Sequence, residues 1–285
     1  MPLFDSICNS FATISASGFS YNSIGDTGAI NPKFLWIGAI FMFLAGVNFT
    51  LQYKIYIQKH FKSLKNSTEF MTYLYLILFV SAFAIISLIF NNHYDFTVAI
   101  RSGFYQVISI ITSTGSILPD FTHWSQSTQI LIFILMLIGG SAGSTSGGIK
   151  VVRVVIVLKY LWNEIIKIIH PNATLQIKLG KMVISEDILK QILAFVIFYF
   201  LILIISTVGV CAIENNLTLG IMGSASTLGN VNSVFTYGGH AGFEELSPFT
   251  KIIFMINMLV GRLELIPFIA MLHPDFWKFN IKKEQ

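Results

Sequence analysis

The chain has 285 residues, of which 54% are hydrophobic and 11% charged, against roughly 25% charged in an average soluble domain; this speaks against a soluble globular enzyme. Its 18 Lys and Arg against 14 Asp and Glu leave a formal charge of +4, clustered between apolar runs and not laid out as a basic stripe with aromatics, which argues against nucleic-acid binding. Cys8 and Cys211 are the two cysteines, too few for a disulfide framework or a paired-cysteine metal site.

A helix needs roughly 20 mostly apolar residues to cross a hydrocarbon core of about 30 Å. The chain opens on Met1 to Asn31, which is too polar for a span, and Met1-Pro2-Leu3-Phe4-Asp5 has neither a basic n-region nor an apolar h-region. The first predicted span is Pro32 to Tyr56, followed by Lys54, Lys59, Lys62 and Lys65; the second is Phe70 to Phe90. The outer segment Asn91 to Gln126 leads into the third, Thr128 to Leu158, whose middle, Gly139 to Lys150, reads GGSAGSTSGGIK and is too polar to sit as a helix in lipid. Lys159, Lys167, Lys178 and Lys181 come next, then Ile188 to Ile213 as the fourth span, the segment Glu214 to Ser247, a fifth span Phe249 to Leu272, and Lys278, Lys282 and Lys283. Lys-rich loops mark the cytoplasmic side, so the other three segments face outward. An outward N-terminus without an export signal leads to the expectation that further spans precede this chain, in a longer membrane protein or in one made as two polypeptides.

Each outward segment repeats one pattern: a short semi-apolar stretch, a cluster of small hydroxyl residues with a glycine, then polar residues before the next span. The copies are Phe11 to Phe19 around Gly18, Val107 to Ser116 around Gly115, and Met222 to Asn230 around Gly229. Each is expected to be a half-helix dipping into the membrane and returning extended through its glycine, a path allowed only where protein surrounds it or water reaches it. The half-helix would point its partly negative carbonyl end inward, and the return would offer carbonyls that replace a cation's hydration shell.

Other motifs narrow the reading. Gly139-Gly140-Ser141-Ala142-Gly143 fits G-x-S-x-G, and Gly143 to Lys150 nearly fits a Walker A loop. The first lacks a strand before it; the second has Ile149 before Lys150 and no Ser or Thr after it. Small residues suit a broken helix lining a cavity. Arg262 falls about 10 residues from each end of its span, or about 15 Å of helix, and a charge at that depth marks a pathway or a pair; Glu264, two residues on, does not face it. Lys150 and Arg153 are read either as pairing with acidic residues at the cytoplasmic mouth or as positive-inside anchors. The six histidines, without ligand spacing, are read as surface residues, and Trp36, Trp124, Trp162 and Trp277 as interface anchors.

The unit of span, half-helix, filter glycine and span, with GGSAGSTSGGIKVVR (Gly139 to Arg153) and Met258-Leu-Val-Gly-Arg-Leu-Glu-Leu, resembles the Trk/Ktr/HKT potassium transporter superfamily, nearest to the bacterial Trk-type potassium uptake pore subunits, over nearly the whole chain. The resemblance implies an all-α integral membrane protein of repeated span, re-entrant pore loop and span units, as in potassium channels. Members have four units around one pore; here residues 1–56 match the second half of a unit, 57–186 a complete unit with a broken inner span and cytoplasmic loop, and 187–285 a complete final unit with a cytoplasmic tail. It further implies a filter at Ser17, Gly18, Thr114, Gly115, Leu228 and Gly229, and gating by Gly139, Gly140, Gly143, Ser144, Gly147 and Gly148 against Arg262.

The expected activity is potassium uptake through a multi-pass protein of the bacterial inner membrane, C-terminus inside. No enzymatic activity, bound cofactor or metal beyond the transported K⁺ is expected. The partners implied are a second copy in a homodimer and a cytosolic nucleotide-binding regulatory subunit on the basic loops, with a separate chain supplying the absent first unit as a further partner. The rival readings are a truncated or split fragment that does not conduct without that unit, and an inverted-repeat secondary transporter, which calls for midplane carboxylates that only Glu264 supplies.

Overall fold

The structure is a computed structural model and describes residues 3–18, 32–116, 118, 124–171, 175–180, 182–231, 246–263 and 271. Its elements in chain order are α1 (Leu3–Ser15), α2 (Pro32–Ala45), α3 (Phe49–Tyr56), α4 (Lys62–Asn66), α5 (Thr68–Asn92), α6 (Phe96–Ile111), α7 (Gln126–Ile138), α8 (Val151–Ile169), a hairpin of β1 (Lys178–Leu179) and β2 (Met182–Val183), α9 (Glu186–Glu214), α10 (Leu217–Leu228) and α11 (Pro248–Arg262). Lys178 pairs with Val183 and Leu179 with Met182 in this antiparallel hairpin, the described chain's departure from helix.

Four of the apolar helices start where the sequence supplies side-chain acceptors for orphan backbone N–H groups. Ser67 Oγ accepts from Phe70 N at the start of α5, Ser185 Oγ from Ile188 N at α9, and Asn216 Oδ1 from Leu219 N at α10. Ser247 Oγ accepts from Thr250 N at α11, where Pro248 occupies the first turn and gives up an N–H that has no helical partner anyway. His93 and Asn215 close α5 and α9 in the left-handed conformation.

Among the described residues, α5 and α9 are each long and apolar enough to cross a membrane, and they contain the second and fourth predicted spans. The third predicted span is broken as expected, with α7 ending at Ile138 and α8 beginning at Val151. Of the fifth, α11 covers the part to Arg262, and residues 264–270 and 272, Glu264 among them, lie outside the described residues. The first span corrects the sequence reading: Pro32 to Tyr56 is not one helix but α2 and α3, bent by 104°. Two features mark the break. Tyr73 and Thr112 press so close to Gly46 that no side chain fits there, and Asn48 starts a new helix by accepting from Thr50 N and Leu51 N at 2.8 and 3.3 Å.

The main core is built by α2, α5, α6 and α7, with Leu35, Met42, Tyr73, Leu88, Tyr105 and Ile132 inside it. Tyr73 stacks on Phe43 at 5.4 Å between ring centroids and donates its hydroxyl to the Phe43 carbonyl. A second cluster joins Phe195 and Tyr199 of α9 to Ile149, Leu228 and Val260. The short helices α6 and α10 are enclosed by protein: every residue from Tyr105 to Ile111 is buried, as is every residue from Gly223 to Leu228. Ile197, Ile204, Ile205 and Val208 of α9 point outward, an apolar exterior that suits lipid and not water. Trp124 departs from its reading as an interface anchor, being buried in the main core.

Candidate functional site

Three turns close the short helices α1, α6 and α10, and they share one backbone geometry. After α1, Ala16 has φ 45° and Ser17 N donates to Ala12 O, five residues back. After α6, Ser113 has φ 58° and Thr114 N donates to Ser109 O, again five back. After α10, Asn230 has φ 56° and Val231 N donates to Ser226 O with the same spacing. In the first two turns the next residue is a glycine with positive φ, Gly18 at 76° and Gly115 at 71°.

In this register Ser17-Gly18 and Thr114-Gly115 are equivalent pairs, and the expected third pair, Leu228-Gly229, is offset from them. Leu228 and Gly229 end α10 and stand three positions earlier, opposite Ile14-Ser15 and Ile111-Thr112. Gly229 has φ −76° and caps the helix. The Leu228 carbonyl lies against Gly261 of α11 and the Gly229 carbonyl against Gly147, so closely in both cases that a Cβ on the facing glycine would overlap the oxygen. It is the Asn230 carbonyl that faces Gly18. The pair equivalent to Ser17-Gly18 is therefore Val231-Asn232, and Asn232 lies outside the described residues. The glycine within the hydroxyl cluster precedes the equivalent position by three residues, and Asn230, a residue type that tolerates left-handed backbone, marks the turn.

The second turn is held by its own helix. Ser109 Oγ donates to Ser116 O at 2.7 Å, Tyr105 and Ser116 share a hydroxyl contact of 2.7 Å, and Gln106 Oε1 accepts from Leu118 N at 3.0 Å. Thr112 and Thr114 pair their hydroxyls at 2.9 Å. Such fully enclosed polar contacts fix one backbone path, because leaving any member unpaired costs about 1–3 kcal/mol.

Beneath these turns lies the glycine-rich break of residues 139–150. A Cβ on Gly139, φ 73°, would overlap the Gly147 carbonyl, and Gly148 has φ 81°, so this tight fold needs glycine at both ends. Gly147 N donates to Ser113 Oγ at 3.0 Å, joining the break to the turn after α6. Helices flank it on both sides, α7 and α8, so the strand that G-x-S-x-G needs does not precede it.

Arg262 joins the break from α11. Its guanidinium donates to Thr145 O at 2.7 Å, Ser15 O at 3.0 Å and Ala16 O at 3.4 Å, tying the break to the carbonyl end of α1, where the helix dipole favours a cation. With Lys150, Phe195 and Ser144 it lines a cavity of about 230 Å³. Lys150 donates to the Ser146 carbonyl, and Arg153 sits 4.0 Å over the Phe195 ring, a cation–π contact. Of the two readings of these residues, acidic pairing has a counterpart at Lys150, which lies within electrostatic reach of Glu69. Asn48 and Glu69, which also touch the break, carried no motif and were missed; Ser113 lies in the second outward copy but was not assigned to the break.

A family model described as TrkH, cation transport protein, matches residues 1–277. The chain is 30% identical over 279 residues to the Trk system potassium uptake protein TrkH of Salmonella typhimurium, covering 98% of this chain and 58% of that protein. It is 28% identical over 292 residues to the Trk system potassium uptake protein TrkG of Escherichia coli, covering 98% and 57%. The crystal structure of the potassium transporter TrkH from Vibrio parahaemolyticus superposes with a TM-score of 0.90 at 27% identity, covering 98% of this chain and 60% of that one. The chain thus spans 58% of the length of the first of these relatives. Helices apolar enough to cross a membrane, the shared fold and a match running along almost its whole length agree that the chain is an all-α membrane protein and belongs to the TrkH cation transport protein family.

Proposed function

We propose that the chain contributes a potassium uptake pore of the Trk type, as the part comprising residues 1–56, 57–186 and 187–285 of three successive pore units. The observation that carries this reading is the threefold recurrence of one turn, a left-handed residue and a bond five residues back, at the ends of α1, α6 and α10. Three enclosed turns of one shape are what a ring of carbonyl ligands around an ion requires. The filter is assigned to Ser17-Gly18, Thr114-Gly115 and, on the register of the turns, Val231-Asn232. Gating is assigned to the break at Gly139, Gly140, Gly143, Ser144, Gly147 and Gly148, held by Arg262.

In this reading K⁺ exchanges water for backbone carbonyls at the turns and meets the break below them. The contact between Gly147 and Ser113, and that between Arg262 and Thr145, keep the break across the path; release of either opens it. K⁺ is the substrate and no bound cofactor takes part, so the activity is transport and not catalysis. A homodimer in the bacterial inner membrane, with the C-terminus and the basic loops inside and a cytosolic nucleotide-binding subunit on them, completes the proposal. So does a further pore unit, supplied by the same or another polypeptide, since three turns enclose a polar path less well than four.

Growth at low K⁺ of cells lacking their own K⁺ uptake tests this reading. The chain expressed with a segment supplying the remaining unit is expected to restore growth. Membrane insertion without rescue, alone or with that segment, contradicts it; rescue by the chain alone shows that the further unit is dispensable.

A further inference from the structure

The break is held on a second side, away from Arg262, by residues that no motif pointed to. Asn48, at the bend between α2 and α3, donates its Nδ2 to Ala142 O at 2.7 Å. Glu69, in the first turn of α5, accepts from Ala142 N at 2.5 Å. The two side chains lie close enough to interact electrostatically, and between them they grip both polar groups of one peptide residue. The bend itself adds backbone contacts: Ser141 N donates to Gly46 O at 3.1 Å, Phe49 N to Gly143 O at 3.0 Å, and the Thr145 hydroxyl to Ala45 O at 3.1 Å. Lys150, at the far end of the break, is within electrostatic reach of Glu69.

We infer that Asn48 and Glu69 form a latch that holds residues 139–150 in the closed position, anchored on the bend of α2 and α3 and on the first turn of α5. The inference rests on the gating reading above. Both are positioning residues: neither stands on the ion path assigned to the turns, and they act through the backbone of Ala142. The arrangement explains why the first predicted span is broken. Bending at Gly46 frees the carbonyls of Ala45 and Gly46 from continuing the helix, and these are the groups that the break uses. It also adds a hold from α5 through Glu69 to those from α11 through Arg262 and from the turn after α6 through Ser113, so movement of any of these elements is transmitted to the loop.

Asn48 has a second task as the cap of α3, and the two tasks are separable. Asn48→Asp keeps the oxygen that accepts from Thr50 N and Leu51 N, but removes the donor to Ala142 O and sets a carboxylate beside Glu69. Glu69→Ala removes the other half of the grip, whereas Glu69→Gln retains an acceptor for Ala142 N. The experiment is backbone deuterium exchange of the full chain in lipid nanodiscs, read over residues 139–150, with α3, α5 and α9 as controls of an intact fold. Asn48→Asp and Glu69→Ala are expected to speed exchange of the loop about tenfold with α3 unchanged, and Glu69→Gln is expected to restore much of the protection. Loop exchange unchanged in both disrupting variants, or loosening of α3 in step with the loop in Asn48→Asp, overturns the latch. The same variants are then read for K⁺ influx in cells: a rise accompanies the loosened loop if the latch holds the gate, and a loosened loop with unchanged influx contradicts the gating reading while leaving the contacts as described.

Discussion

Arg262→Ala is expected to raise K⁺ influx about tenfold to a hundredfold. The guanidinium is the link between the Thr145 carbonyl of the break and the carbonyl end of α1, at 2.7 Å and 3.0 Å. A hydrogen bond from a charged donor contributes about 1.5–3 kcal/mol, and each 1.4 kcal/mol is about a factor of ten in an equilibrium. Removing the link therefore shifts the closed-to-open balance of the break by one to two orders of magnitude. Arg262→Lys is expected to fall between: it keeps the charge but not the planar fork that reaches several carbonyls at once. Influx measured in cells without their own K⁺ uptake checks this, and equal influx through all three forms would remove Arg262 from the gate.

The second large effect is at the turns. Gly115→Ala and Gly18→Ala are each expected to lower influx at least tenfold without preventing membrane insertion. Both glycines have φ above 70°, a region that costs an L-residue about 1–2 kcal/mol. At Gly18 the added methyl would also meet the Asn230 carbonyl. In the proposed filter, any displacement of these carbonyls removes ligands from an ion that has given up its water. Gly229→Ala separates the two registers for the third turn. Gly229 has φ −76°, ordinary for alanine, and its nearest contacts for a new Cβ are the Met136 and Ala225 carbonyls at 3.1 and 3.2 Å, which need shift by only a few tenths of an ångström. Its loss of influx is expected to be clearly smaller than that of Gly18→Ala; an equal loss would restore Gly229 to the filter.

Much of the architecture was legible because lipid restricts it. Apolar length identified α5 and α9, and the run of glycine and hydroxyl residues identified the interruption between α7 and α8, since neither pattern has another stable solution in a bilayer. The bend at Gly46 was not legible. The stretch Pro32 to Tyr56 is apolar enough to pass as one helix, and what marks the break shows only in the fold: the packing of Tyr73 and Thr112 on Gly46, and an asparagine that reads as any polar residue until its cap is seen. The third turn was misread for a related reason. Hydroxyl-rich sequence followed by glycine fits both the last turn of a half-helix and the return after it, and only the φ of Asn230 and the bond from Val231 to Ser226 distinguish them. Glu69 escaped notice because an acidic residue in the first turn of a helix is already explained by the helix dipole; its grip on Ala142, 73 residues away in sequence, belongs to the fold alone.

The central claim is that K⁺ crosses through the turns after α1, α6 and α10 and is held back by the break beneath them. The most direct measurement is K⁺ influx into membrane vesicles containing the chain together with a segment supplying the remaining pore unit, comparing the parent chain with Gly115→Ala, Arg262→Ala and the two combined. The account predicts influx in the parent, more in Arg262→Ala, and little in either form carrying Gly115→Ala, because an opened gate does not help a damaged filter. Influx through the double variant as high as through Arg262→Ala alone would mean that ions take another path.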